Sequence, residues 1–179
     1  FSCVFCWMAA ASTLLTLGGM ALAPWLAQAV APGFTPEQWA RLAFFMRIIL
    51  PAQIFFLCGA CVTALLFMRR QFRVPALAPL IYNGAIIAAG LLLPWLATTQ
   101  TAQATLPAGL LAHMDGMTGY CVGVTLGATL GTFALPLRVA GQQGLRLHME
   151  WRHPLMGKFL LTALPLMLGQ TIMMLDEQF

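Results

Sequence analysis

Hydrophobic positions gather into five long blocks along this chain, and charged positions are confined to the short segments between them. Residues 1–36, 48–68, 74–114, 116–137 and 159–175 contain no Asp, Glu, Lys or Arg. A helix needs about 20 apolar residues, each rising about 1.5 Å, to cross the ~30 Å hydrocarbon layer of a bilayer. Water does not tolerate so much continuous apolar surface, whereas a bilayer requires it and admits only backbone whose hydrogen bonds close internally. The pattern predicts an all-α, polytopic transmembrane helix bundle. Residues 1–179 form one partial transmembrane domain with spans at about 3–30, 42–68, 80–96, 118–137 and 155–177.

Local signals refine these elements. Trp7 and Trp25 suit interfacial anchoring of the first span, and Pro24 marks an end or a kink in its last part. Ala31-Pro32-Gly33-Phe34 reads as a turn. Thr35-Pro36-Glu37-Gln38 supplies an N-cap Thr, Pro at the first helical position and Gln at the third, so a helix should begin near Pro36 and kink at Pro51. Arg47 lies close enough to the interface to snorkel. Pro75 and Pro79 in Val74–Pro79 should break regular helix twice, which delays the third span to about Leu80. Residues 97–117 read as a loop, with Leu106–Leu111 apolar enough to lie on the membrane surface. In the fourth span Gly119, Gly123, Gly127 and Gly131 recur every four residues. Without Cβ atoms such a stripe lets a neighbouring helix come close, here more readily within the chain than in a dimer.

Charge orients the bundle. Of the nine Lys and Arg residues, Arg69, Arg70, Arg73, Arg138, Arg146, Arg152 and Lys158 lie in the second-to-third and fourth-to-fifth connections. The first-to-second connection carries Arg41 and the 97–117 loop carries none. The positive-inside rule puts the basic connections in the cytoplasm and the others outside.

Composition agrees: 60% hydrophobic residues, 8% charged and a mean hydropathy of +0.84 lie outside the soluble range. The net charge of +4 does not indicate nucleic acid, because the cations sit between spans instead of clustering on one soluble face. Cys3-x-x-Cys6 and Cys58-x-x-Cys61 fall inside apolar blocks, where thiols behave as small hydrophobes and not as a metal or redox site. His148 and His153 flank Glu150 at a spacing unsuited to a helical zinc site, and the glycines of the fourth span lack the Lys-Ser/Thr of a phosphate loop. Ser2 and Ser12 have no activating His. Neither a catalytic residue, a metal nor a cofactor is expected. The unusual feature is Asp176-Glu177, which follows seventeen uncharged residues that include Gln170. A carboxylate there faces a cavity at membrane depth or marks the end of the span at the outer interface; composition leaves both open. The chain begins and ends inside apolar runs and reads as an internal piece of a longer protein.

Several segments resemble the MurJ (MviN) family of lipid II flippases, within the multidrug/oligosaccharidyl-lipid/polysaccharide exporter superfamily. They are Ala23-Pro24-Trp25 with Ala31-Pro32-Gly33-Phe34, then Arg47-Ile48 and Pro51. Phe72–Pro79 with Asn83 follows, its motif positions being Pro75, Pro79 and Asn83. Next come the Gly-rich span ending in Leu135-Pro136-Leu137 before Gly144, and Pro165 with Leu168-Gly169 leading to Asp176. The resemblance covers nearly the whole chain as helices three to seven of a fourteen-helix, two-lobed fold with a cytoplasmic N-terminus. It implies a transporter of the bacterial inner membrane, not an enzyme. Its substrate would be lipid II, the undecaprenyl-pyrophosphate-linked peptidoglycan precursor, moved between leaflets by alternating access. Partners implied are lipid II and membrane lipids, with the coupling cation open. Family members place their main cavity arginines outside the segment covered here. Asp176 falls where many members carry Asn or Asp, which favours a cavity-facing role that orients an Arg or binds a cation; Gln170 is the secondary candidate. Between Leu168-Gly169 and Asp176 the chain is a few residues shorter than the usual pattern, and its 97–117 loop is longer. A related polysaccharide or drug exporter is the alternative within the superfamily; a membrane-embedded enzyme of lipid metabolism and a structural scaffold are alternatives from other classes.

Overall fold

The computed structural model describes residues 1–99, 114–145, 147–148, 151 and 153–176, with side chains to Met167. All regular elements among them are helical. In chain order they are α1 (Ser2–Val30), α2 (Pro36–Ile49), α3 (Ala52–Met68), α4 (Arg73–Ala97), α5 (Gly116–Gly127), a π-helical segment (Ala128–Ala134), α6 (Leu135–Gln142) and α7 (Met156–Asp176). Among the described residues four stretches are long and apolar enough to cross a membrane: Ser2–Val30, Pro36–Met68, Arg73–Ala97 and Gly116–Gln142. The fifth helix, α7, is apolar over Met156–Met167 among residues with described side chains, and its 21 residues span about 32 Å. Leu106–Leu111, Arg146, Glu150, Arg152 and Glu177 lie outside the described residues.

Local chemistry explains most boundaries. Phe34 N–H donates to the Ala31 carbonyl at 3.2 Å and closes the Ala31–Phe34 turn. Helix α2 then opens on the full capping box: Thr35 Oγ1 accepts from Gln38 N–H, and Gln38 Oε1 accepts from Thr35 N–H at 2.9 Å. Pro51 has no N–H to offer the Arg47 carbonyl, so the α-helical ladder stops at Leu50 and resumes through shorter-range bonds, Gln53 N–H to Leu50 and Ile54 N–H to Pro51. The next carbonyl, Ile48, accepts from Thr125 Oγ1 at 2.6 Å, so a hydroxyl on α5 serves the break.

One expectation changes, and one open choice narrows. Of the end or kink allowed at Pro24, the end does not occur, since α1 continues to Val30, the limit expected for the first span. Nor do Pro75 and Pro79 break the third span: α4 starts at Arg73 and runs through both. Pro75 sits in the first turn, where N–H groups have no helical acceptor, and Pro79 removes one bond from a helix supported by its neighbours. Helix ends close by a common device. At the end of α6, Gly144 takes φ +85° while Leu145 N–H reaches the Ala140 carbonyl at 3.0 Å and Gly144 N–H reaches Gly141. Arg70 does the same after α3 at φ 57°, with Gln71 N–H donating to Leu66 at 2.9 Å.

The chain divides into two compact units, Met8–Arg146 and a smaller one made of Phe1–Trp7 with Leu147–Phe179. In the larger unit α4 and α5 form the most extensive helix pair. A Cβ on Gly119 would lie 2.5 Å from the Ala89 carbonyl oxygen, on Gly123 2.6 Å from Ile86 Cα, on Gly127 2.7 Å from the Tyr82 carbonyl oxygen and on Gly131 2.8 Å from the Ala78 carbonyl oxygen. Those partners descend in number along α4 as the glycines ascend along theirs, so the two helices run antiparallel with backbones in direct apposition. Gly59 meets the π segment in the same way, its Cβ position falling against the Thr132 carbonyl. Between α1 and α2 the buried residues are small too: Ala23, Ala27 and Ala43, flanked by Leu42 and Met46. Large apolar side chains point outward instead, with Leu14 73% and Trp25 77% exposed, as a hydrocarbon solvent permits.

The π segment was not foreseen. Leu135 N–H bonds to Leu130, five residues back, and Thr129 and Thr132 hydroxyls donate to the carbonyls four residues earlier at 2.7 and 2.6 Å. These hydroxyls occupy carbonyls in the stretch where the ladder changes step.

Candidate functional site

In the larger unit the described carboxylates and most of the cations sit at different helix ends, with Arg41 and Arg47 on α2. The described carboxylates, Glu37 and Asp115, sit at the starts of α2 and α5. Arg69, Arg70, Arg73 and Arg138 are all exposed and sit at the α3–α4 turn and in α6, where Arg69 Nη1 donates to the Gln143 carbonyl at 2.7 Å. This is the arrangement that the positive-inside rule anticipates for a bundle whose α3–α4 turn is cytoplasmic.

At the carboxylate end, Asp115 has two tasks. Its Oδ1 accepts from Thr118 N–H at 2.7 Å, capping α5, and its Oδ2 pairs with Arg41 Nη2. Arg41 also lies over the Phe45 ring, 5.5 Å from its centroid. Glu37, Arg41, Phe45, Asp115 and Thr118 thus line a cleft of about 460 Å³. Hydrogen bonding by the Thr118 side chain, then by its N–H, and then the Arg41 guanidinium hold the Asp115 carboxyl below its ordinary value, against a smaller opposing push from burial. A depressed folded-state pKa adds stability that is present above the unfolded carboxylate range and is lost as pH falls through the folded pKa. Asp115→Ala should therefore cost about 1 kcal/mol near neutral pH, mostly through the cap, because the exposed ion pair contributes little. Asp115→Asn keeps the cap acceptor and should cost less. Thermal unfolding of both variants between neutral pH and pH 3 checks this: the difference from wild type should shrink only below about pH 4.

The residues singled out from sequence are placed as follows. Pro32, Gly33 and Phe34 form the α1–α2 turn; Pro75, Pro79 and Asn83 lie on α4; the four glycines of the stripe lie on α5 and the π segment against α4. Gln170 is inside α7 and Asp176 is its last residue. Six residues apart, their Cα positions differ by about 9 Å along the axis and about 120° around it, so they occupy different faces. The Arg41–Asp115 pair escaped sequence reasoning, since its partners are 74 residues apart. Half of it was readable: an Asp three residues before Thr118, ahead of an apolar run, is an N-cap pattern.

In the smaller unit the start of α1 is tied to the segment before α7. Trp7 Nε1 donates to the Trp151 carbonyl at 3.1 Å and the two rings meet edge to face at 5.8 Å. His153 Nδ1 accepts from Leu155 N–H at 3.2 Å just ahead of α7.

No solved structure matches the chain. The family model described as lipid II flippase MurJ matches residues 1–178. With helices of membrane-spanning length, the chain belongs to the MurJ family of lipid II flippases.

Proposed function

We propose that this chain forms part of the wall of a path through the bacterial inner membrane, along which the head group of lipid II passes by alternating access. The family match across residues 1–178 carries this reading. Its physical logic is that a pyrophosphate, sugars and a peptide need a hydrated, charge-complementary route, while the prenyl tail can stay in lipid. No bond is made or broken, so the protein need supply only two alternately open conformations. On this reading Asp176 faces the route at the end of α7. A carboxylate there does not bind pyrophosphate; it orients a neighbouring arginine or holds a coupling cation. Gln170, on a different face, contributes at most a neutral hydrogen-bonding group.

The test is replacement of the resident lipid II flippase in a depleted bacterium by the full-length gene. Restored growth, with lipid II becoming accessible to a head-group-cleaving enzyme added outside the cell, is the expected result. Membrane expression without either would count against the assignment.

A further inference from the structure

Arg47 places a charge on α2, within the Pro36–Met68 stretch that is long and apolar enough to cross a membrane. It lies eleven residues, or about 16 Å, from the start of α2 at Pro36. Its Nε donates to the Met20 carbonyl on α1 at 3.2 Å. That acceptor is free for a specific reason: in an α-helix it would receive the N–H of residue 24, and residue 24 is Pro. Arg47 thus fills the vacancy that Pro24 leaves, and this fixes the guanidinium on the α1 wall. The N–H groups of both terminal nitrogens are left over.

Those groups border a cleft of about 430 Å³ between α1 and α2. Pro36, Ala40, Ala43 and Arg47 line it from one face of α2, and Pro24 and Gln28 line it from α1. The cleft therefore extends from the carboxylate-bearing end of the unit down to Arg47, with apolar walls and a cationic floor. Among the described residues the ion pair is Arg41–Asp115, and no carboxylate lines this cleft. Cations within spans pair with opposite charges or with backbone carbonyls. The Met20 carbonyl occupies Nε and leaves the terminal N–H groups available to an anion.

We propose that this cleft binds the phosphate of an anionic glycerophospholipid, whose acyl chains stay in the bilayer beside α1 and α2. A guanidinium matches a phosphate through paired N–H···O bonds. One cation balances one phosphodiester. A pyrophosphate would bring further negative charge, and the lining holds no second Lys or Arg to meet it. The site is therefore separate from the lipid II route and goes beyond the proposed function.

Native mass spectrometry of the full-length protein, titrated with phosphatidylglycerol, tests this with Arg47→Gln and with the double variant Pro24→Ala/Arg47→Gln. In the double variant the alanine that replaces Pro24 supplies the helical donor to Met20, so the packing role of Arg47 is repaired while its charge is absent. The tightest phosphatidylglycerol site should weaken about tenfold or more in both variants, the loss of a charge-assisted hydrogen bond. Unchanged binding in Arg47→Gln would overturn the proposal. So would recovery in the double variant, which would make the effect one of helix packing. Displacement of phosphatidylglycerol by undecaprenyl pyrophosphate in wild type would reassign the cleft to the transported substrate, and it too would overturn the proposal.

Discussion

Gly123→Leu should leave the full-length protein largely unfolded or aggregated in detergent, while Gly84→Leu, on the partner helix, should be nearly neutral. At Gly123 an added Cβ lies 2.6 Å from Ile86 Cα and 2.9 Å from the Ala85 carbonyl oxygen, both backbone atoms that cannot rotate away. Around Gly84 nothing lies within 4 Å of that position. Even Gly123→Ala should cost about 1–3 kcal/mol by overpacking. Leucine forces the two helices apart along their length, and helices in lipid have little but close packing to hold them together. The same separation would strain the Thr125–Ile48 bond two residues away and the Gly59 contact with the π segment. Size-exclusion profiles and thermal unfolding in one detergent decide the matter. Equal behaviour of the Gly123 and Gly84 variants would show that the α4–α5 apposition does not hold the unit together.

Asp176→Ala should abolish support of growth in the flippase-depleted strain, with head-group translocation falling at least about tenfold, or ~1.4 kcal/mol in the limiting barrier. The prediction rests on the family resemblance, in which Asp176 falls where many members carry Asn or Asp. About 30 Å of helix separates it from the start of α7, and a carboxylate there that merely capped the span in water would be dispensable. If it orients a guanidinium, Asp176→Asn retains the acceptor oxygen and should lose only a few-fold. If it holds a cation, Asn weakens coupling as well. Glu177→Gln, one residue on, serves as the comparison and should grow normally. Normal growth of Asp176→Ala at wild-type expression would remove this residue from the route.

Much of the architecture was legible because it depends on short-range chemistry. Thr35, Pro36 and Gln38 announce the start of α2 within four residues, and Pro51 announces the break because a missing N–H is a property of the residue alone. The helical class follows from the length of uncharged sequence. What was not legible depends on context. Proline rules taken by themselves delay α4 by a full two turns, yet Pro75 falls where no donor is needed and packing tolerates Pro79. The π segment has no compositional mark; the Thr hydroxyls that accompany it are ordinary residues until their partners are known. Arg47 looked like a residue reaching for the interface, but Pro24 supplies it with an acceptor on α1 that only the fold reveals. The Arg41–Asp115 pair is likewise a product of α2 and α5 starting side by side.

The whole account depends on the basic connectors facing the cytoplasm and the carboxylate-bearing helix starts facing out. In an otherwise cysteine-free full-length protein, Thr99→Cys and Arg70→Cys can each be probed on intact cells with a membrane-impermeant maleimide. The account predicts labelling at position 99 from outside, with position 70 reached only after lysis. Labelling of position 70 on intact cells, with position 99 protected, would contradict it.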